Sequence, residues 1–506
     1  MAAKPTSISA RRPRGVAHQP LKIALSNRGD VALFVQIREQ IRDLIDRGTL
    51  TAGMRLPPVR VLARQLAINQ ITVAKAYRAL VEAGLIDGRR GGGSFVREPS
   101  RARSPAQSAG REPTQPMLAE RLYELARAPG VIAFSSNYPQ VEASCVADFK
   151  ASLNAVIDNE LASCLHYEPP AGRLALREQI AVTLDALGIS ADENDIVVTS
   201  GAQQAIDLSV RALCPPGTPV AIEQPAYYGA INSLRSAQAR LLEVPLRDDG
   251  MDLDALEHCL ARGGARLICT NPTFQNPSGI TTSIDKRHAI LALARRYGAA
   301  ILEDDHSPEL RFRGGPVPPI RALAGPEDQV IYARGFGKVF LPGIRLGFLL
   351  APPVLRQRLL QAKANADLHC NSIMQEALAH YLALGRYPAI LDRMRETYGA
   401  RQQMLYAAIS AGLPDGARIN HPDGGLSFWL TLPEDADVSE LYFRAVRRGV
   451  AFVDGEVFYA SQPKARSLRV SFGLNKPEEL LEGVERLCSV VQDLQIRRRA
   501  RNLVLI

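Results

Sequence analysis

The stretch QVIYARGFGKVFLPGIR, residues 329–345, decides how the larger part of this chain is read. It runs from an apolar, β-branched segment (QVIYAR, 329–334) straight into a glycine-rich turn carrying Lys338, with Arg345 seven residues on. A lysine shielded just past the end of a strand can form a Schiff base with an aldehyde. An arginine nearby can clamp a phosphate through two parallel hydrogen bonds. Lys/Arg spacings of seven are common in basic stretches, so the neighbouring segments must settle the reading.

Upstream, strand-like segments recur at DIVVTS (195–200), PVAIE (219–223), ARLLEVPL (239–246), ARLICTN (265–271) and AAILEDD (299–305). Helical patterns separate them, among them an amphipathic helix from Ser283 to Gly298. This βαβ alternation predicts a mainly parallel sheet covered by helices. Downstream of Pro352 come long helical patterns, short strands at LSFWLTL (426–432) and SLRVSF (467–472), and a final helix near Glu478–Leu494. They predict a smaller α+β subdomain.

Four further motifs sit at or beyond the ends of those strands, where open α/β sheets bind ligands. EDDH places Asp304 at the end of an apolar strand, where a carboxylate is costly unless paired; a pyridinium nitrogen would suit it. NPTFQNPSG (271–279) offers Asn276 as a donor to a phenolate-type oxygen. SGAQQAID (200–207) is a strand-to-helix junction whose Ala202 and Gln203 N–H groups form an anion site at a helix N-terminus. EQPAYYG supplies Tyr227, whose ring can stack on a planar group. Each has a plainer structural role when taken alone: a capped strand end, a turn, a core tyrosine.

The N-terminal fifth is a different kind of sequence. Residues 1–111 hold 20 Lys and Arg against 7 Asp and Glu, a net of +13, whereas the remainder carries −4 of the overall +9. Such asymmetry points to a segment that meets a polyanion, against the plainer reading of a solvated basic face. Residues 1–30 read as a disordered basic tail. A helix follows, with Phe34, Ile37, Ile41, Leu44 and Ile45 on one stripe and Gly48 as its end. A second helix buries Val59, Leu62, Ala63 and Leu66. A third, capped by Asn69, buries Val73, Tyr77, Leu80 and Val81. GLIDGRRGGGSFV (84–96) then reads as a strand, a turn and a returning strand, so residues 31–97 form a winged helix-turn-helix. The second helix of such a motif enters the major groove. Its outward residues Asn69, Gln70, Thr72, Lys75 and Arg78 are the candidate base and phosphate contacts, with Arg60, Arg89 and Arg90 placed for the backbone. Residues 98–117, rich in Pro, Ser and Arg, are a linker; 118–495 form the large domain and 496–506 a basic C-terminal tail.

Composition (46% hydrophobic, 22% charged) is that of an ordinary globular protein, and no run approaches the roughly 18 apolar residues that span a bilayer. The N-terminus lacks the apolar core of a secretory signal. Seven scattered cysteines include no C-x-x-C pair, which excludes the common zinc-binding spacings and fits buried thiols in the cytoplasm.

RLPPVRVLARQLAINQITVAKAYRALVEAGLIDGRRGGGSFV resembles the GntR-type winged-helix domain without gaps. From YEPPAGRLALREQIA (167–181) to about Arg469 the chain resembles the fold-type-I aminotransferase family, a large α/β fold with a small C-terminal α+β subdomain. The two together resemble the MocR/GabR subfamily of transcription regulators. That resemblance implies pyridoxal 5'-phosphate as cofactor, with Lys338 forming the internal aldimine, Asp304 pairing with the pyridine nitrogen and Asn276 contacting the ring oxygen. Tyr227 would stack on the ring, while Ala202, Gln203 and Arg345 hold the phosphate. Arg469 would take the α-carboxylate of an amino acid. It further implies a domain-swapped homodimer on a double-stranded DNA operator, responding to a small amino acid or amine. An active aminotransferase with an accessory DNA-binding domain is the alternative. Two positions depart from the family pattern. His306 stands where a tyrosine helps hold the ring oxygen, and is expected to titrate near neutral pH and make the cofactor's spectrum respond to pH. Gly337 stands where a serine adds a phosphate contact. In the first domain, Asn69–Gln70 replaces the usual Ser-Arg, which is expected to shift base preference from guanine to adenine.

Overall fold

The computed structural model describes Ile23 and residues 33–46, 49–51, 53–66, 68–82, 85–89, 93–96, 129–434, 436–463 and 465–504. The chain divides into two compact units, Met1–Arg111 and Glu112–Ile506. The expected basic tail (apart from Ile23), the linker, Gly48 and Arg90 lie outside the described residues.

The first unit has helices α1 (Leu33–Asp46), α2 (Val59–Gln65) and α3 (Gln70–Glu82), then strands β1 (Ile86–Arg89) and β2 (Gly93–Val96) paired antiparallel. Ile37, Ile41, Leu62, Ala63, Val73, Tyr77 and Leu80 are buried together, and the Tyr77 hydroxyl donates to the Pro57 carbonyl at 2.8 Å. One expected core residue is not there: Val81 is 43% exposed and Ala76 takes the buried place. On a helix, 73, 76, 77 and 80 share one stripe, and 81 falls at its edge. Leu56 N–H donates to Ser94 and Val96 N–H to Met54, so residues 54–56 add a third short segment to the hairpin.

In the second unit an eight-stranded sheet runs β4 (Ile196–Thr199), β11 (Gly347–Leu350), β10 (Val330–Gly335), β9 (Ala300–Asp304), β8 (Leu267–Thr270), β5 (Pro219–Gln224), β6 (Arg240–Arg247), β7 (Gly250–Met251). Strands β6, β5, β8, β9 and β10 are mutually parallel; β11 is antiparallel to both β10 and β4, which leaves β4 pointing the same way as β10. The centre of this sheet is buried on both faces, which is why β8, β9 and β10 read as continuous apolar runs. The helix expected from Ser283 to Gly298 spans Ile284–Tyr297, with the Ser283 hydroxyl accepting from Lys286 N–H and Gly298 closing it at φ 62°. β3 (Ile132–Ala133) pairs with β14 (Val450–Ala451), and β12 (Arg418–Ile419), β13 (Ser427–Thr431), β16 (Ser467–Ser471) and β15 (Val453–Asp454) make an antiparallel second sheet. The final helix, Pro477–Val504, absorbs most of the expected basic tail. Arg, Ala and Leu are strong helix formers and continue a helix that is already nucleated. No helix among the described residues is long and apolar enough to cross a membrane.

Candidate cofactor site and DNA-recognition face

The carboxyl ends of β4, β5, β8, β9 and β10 lie along one edge of the large sheet, so the five motifs that follow or end those strands converge there. Lys338 ends a 3-10 turn (Phe336–Lys338) after β10 and donates from Nζ to the Asn137 carbonyl. Burial, with Arg469 and then Arg345 adding repulsion, pulls its ammonium down to about 7, although Asp304 pulls the other way. Asp304, the last residue of β9, is buried, and burial together with Asp305 and Glu223 pushes its carboxyl up to about 7. Its Oδ1 has no hydrogen-bond partner among the described residues. A buried acceptor left open in this way fits a protonated ring nitrogen.

The turn after β8 is braced from below. Glu223 accepts from Thr270 Oγ1 at 2.6 Å, Asn271 N at 3.0 Å and Gln275 Nε2 at 2.9 Å. The Asn276 backbone N–H donates to Asn271 Oδ1 at 2.6 Å. Arg469, on β16 opposite Trp429, donates to Asn276 Oδ1 at 2.9 Å and to the Ser135 carbonyl at 3.0 Å. With Asn276 Oδ1 engaged, its side-chain NH2 remains the donor to offer a ligand oxygen. Arg469 itself is a fully buried cation, suited to a carboxylate. Tyr227 precedes the helix Tyr228–Ser236, partly buried, its ring 4.9 Å from that of Tyr228 and tilted by 53°.

The anion cradle stands at the start of the helix Ala202–Leu213. Gly201 holds φ 87°, and a Cβ there would come within 2.9 Å of the Arg345 guanidinium, so only glycine lets that side chain lie over the turn. Arg345 donates to the Ser200 carbonyl at 3.2 Å. The Gln203 side chain is committed to Gly229 O and Ser233 Oγ, both at 3.1 Å, which leaves the backbone N–H groups of Ala202 and Gln203 as the anion donors.

His306 departs from expectation. Its Nδ1 lies 2.7 Å from Ser307 Oγ and its Nε2 3.2 Å from the Phe274 carbonyl, so Nε2 carries the proton and both nitrogens already have protein partners. Burial first, then the positive charge of Lys338, lowers its proton affinity to about 3; Arg469 adds to this and the Phe274 carbonyl opposes it. The side chain is neutral throughout the physiological range, not a near-neutral switch. The His306 ring resonances are expected to show no titration between pH 5 and 9 by NMR; a mid-point near 6.5 would contradict the observed packing.

Sequence reasoning missed Asn137 and Ser135, whose carbonyls receive Lys338 and Arg469. They act through backbone atoms, and the buried polar run Ser135–Asn137 carried no motif.

In the first unit Arg60, Asn69, Gln70, Lys75 and Arg78 are exposed and Thr72 partly so. Gln70 opens α3, and the Thr72 N–H donates to the Asn69 carbonyl at 3.1 Å. The Lys75 ammonium sits 4.1 Å above the Phe34 ring, tethered across to α1. Arg89 pairs with Gly93 in the hairpin.

Residues 33–96 match the family of bacterial regulatory proteins, gntR family, and residues 129–487 match aminotransferase class I and II. The chain is 30% identical over 482 residues to the probable rhizopine catabolism regulatory protein MocR of Rhizobium meliloti, covering 94% of this chain and 96% of that one. It is 33% identical over 381 residues to aromatic-amino-acid aminotransferase 1 of Thermococcus litoralis, covering 74% of this chain and 90% of that enzyme. Among solved structures it is similar to LysN, the α-aminoadipate aminotransferase of Thermus thermophilus complexed with N-(5'-phosphopyridoxyl)-L-leucine: TM-score 0.70, 32% identity, 74% of this chain and 95% of that one. The chain therefore belongs to the MocR/GabR-type GntR regulators, pyridoxal-phosphate-dependent transcription regulators that join a DNA-binding winged helix to an aminotransferase-like domain.

Proposed function

We propose that the protein senses a small amino acid or amine at Lys338 and, as a cytoplasmic homodimer, converts that event into altered grip on a double-stranded DNA operator. The observation that carries this reading is the convergence of the Lys338 amine, the open Asp304 oxygen and the Arg469–Asn276 pair in a chain that also bears an exposed recognition helix. Pyridoxal phosphate, when bound, supplies an aldehyde carbon at which one amine can be exchanged for another. Lys338, with its lowered proton affinity, would present a free amine to that carbon at neutral pH, and its Nζ donates to the Asn137 carbonyl. Asp304 would hold the ring nitrogen protonated, Asn276 would donate to the ring oxygen, and Tyr227 would stack on the ring. The N–H groups of Ala202 and Gln203, with Arg345, hold the phosphate. Arg469 receives the effector's carboxylate. His306 buttresses the Phe274 turn rather than the ring. The liganded and free states must differ in affinity for the effector, or DNA binding cannot respond. Two half-sites on one DNA face, at multiples of about 10–10.5 bp, are what a homodimer reads. The test is a screen of amines and amino acids against the cofactor's absorption, repeated with operator DNA; an absorption that no amine shifts would sink the sensing model.

A second reading is an active aminotransferase, favoured by a site set that departs from the family pattern only at His306 and Gly337 and by the 33% identity to aminotransferases. Turnover of an amino donor with a keto acid by the full-length chain, at tens of turnovers per second or fewer, decides it.

Two variants test individual roles. A Cβ on Gly337 would meet Pro342 Cα at 3.5 Å, ordinary contact distance, so a serine fits there. Gly337→Ser is expected to tighten cofactor binding about three- to tenfold by adding one hydrogen bond to the phosphate, measured by cofactor fluorescence. Gln70 is expected to prefer adenine through N6 and N7, so Gln70→Arg shifts the selected operator toward guanine at one position per half-site by about 1–3 kcal/mol. Unchanged preference in a binding-site selection would remove Gln70 from the base contacts.

A further inference from the structure

We propose that Lys363 and Cys370 form an oxidant-dependent covalent cross-link, Nζ–O–Sγ, beneath the turn that leads into the helix Ala202–Leu213. Lys363 lies on the helix Pro353–Asp367 and is completely buried, an unusual place for a lysine. Its Nζ is 3.2 Å from Cys370 Sγ, 2.5 Å from Asp367 Oδ1 and 3.3 Å from Gln204 Oε1. Cys370 is a buried free thiol whose sulfur also lies 3.5 Å from Ser200 Oγ and 3.7 Å from the Val198 carbonyl. The turn that delivers it is itself unusual. Leu368 holds φ 62° and ψ −68°, and the His369 N–H closes back on the Asp367 carbonyl at 2.7 Å. That three-residue turn is rare outside glycine and persists only where its surroundings enforce it.

A gap of 3.2 Å between nitrogen and sulfur is too wide for a direct bond without moving a buried chain, and is bridged by one oxygen atom. The co-reactant is hydrogen peroxide. One molecule oxidises the Cys370 thiol to a sulfenic acid and leaves as water. The Lys363 amine reacts in its neutral form, its proton having left to solvent past the part-exposed Asp367 carboxylate. A second peroxide then takes up two electrons and leaves as two waters. In that step an N–H bond of the amine and the sulfenic O–H bond break, the N–O bond forms, and the S–O bond is kept.

The consequence reaches the anion cradle. Gln204 Oε1 accepts from both Lys363 Nζ and the Ser200 backbone N–H, the latter at 2.7 Å. Drawing Lys363 to sulfur removes one of the two donors that fix Gln204 under residues 200–203. This last step, unlike the cross-link, rests on reading that turn as the phosphate site.

The experiment treats full-length, cofactor-loaded protein with hydrogen peroxide, digests it with trypsin and weighs the peptides. The cross-link predicts a peptide spanning 359–386, uncut at Lys363 and heavier by one oxygen less two hydrogens. Dithiothreitol restores normal cleavage, and Cys370→Ser and Lys363→Arg each abolish the species. Cleavage at Lys363 with Cys370 carrying only its own oxygens, or none, overturns the proposal on the wild-type chain alone, whether or not the variants fold. Cofactor release, followed by fluorescence, is expected to quicken several-fold in the cross-linked fraction. An unchanged release rate alongside the predicted peptide would overturn the link to the phosphate turn only.

Discussion

Replacing Lys338 by alanine is expected to leave the protein colourless after incubation with pyridoxal phosphate, with no product trapped by borohydride, while operator binding by the effector-free chain survives. The expectation rests on three features of the site. Lys338 is held where burial and the neighbouring Arg469 and Arg345 disfavour its charged form, bringing it to about 7, so a large fraction is a free amine at neutral pH. An exposed lysine, near 10.4, would offer a vanishing fraction. Lys363, fully buried, is held by Asp367 in a 2.5 Å ion pair and bonded to Gln204 and Cys370. Visible absorption should therefore fall by the whole of its amplitude, and borohydride labelling of the wild type should map to residue 338. Label on a different lysine, or colour that persists in the variant, would end the assignment. Retained DNA binding is part of the test, because α3 and the hairpin belong to a separate compact unit with its own buried core.

Much of this site was legible in the sequence because its residues are tied to strand ends. Asp304, Asn276, Lys338 and the Ala202–Gln203 turn each follow or end an apolar run, and parallel pairing of those runs brings them to one edge regardless of loop detail. What was not legible depends on partners distant in the chain. Strand β11 is four residues, GFLL, too short for a periodic signal; its antiparallel place between β10 and β4 is set by strand partners up to 154 positions away (Leu350 with Ile196). Gly347 marks that place physically, since a Cβ there would lie 2.6 Å from the Arg334 carbonyl and 2.9 Å from the Ala202 nitrogen. The His306 expectation failed for a related reason. Its proton affinity is lowered by burial first and then by the Lys338 and Arg469 charges, against the Phe274 carbonyl, and none of these is set by its neighbours in sequence. The recognition helix came through nearly whole, because α3 is short-range structure with a strong 3.6-residue stripe; only the edge position Val81 was misplaced.

Asp304→Asn should change stability in opposite directions with and without cofactor. In the cofactor-free protein the carboxyl is raised from 3.8 to about 7, by burial first and then by Asp305 and Glu223. A raised carboxylic acid contributes stability that is complete below pH 4 and is lost as the pH climbs through about 7. At pH 8 the cofactor-free chain therefore carries a buried carboxylate whose Oδ1 has no hydrogen-bond partner among the described residues, a cost on the order of 4 kcal/mol for three pH units of displacement. Asparagine has the same shape and no proton to lose, so the cofactor-free variant is expected to melt several degrees above the wild type at pH 8 and level with it near pH 4. With pyridoxal phosphate present the order reverses. The wild-type carboxylate then has a cationic ring nitrogen for a partner, and the variant forfeits that charge-assisted hydrogen bond, weakening binding by roughly a hundredfold. Thermal melts at several pH values, with and without cofactor, together with a fluorescence titration, measure both signs. A variant that is less stable than the wild type in every condition, or that binds the cofactor equally well, would mean the open Asp304 oxygen faces something other than the ring nitrogen.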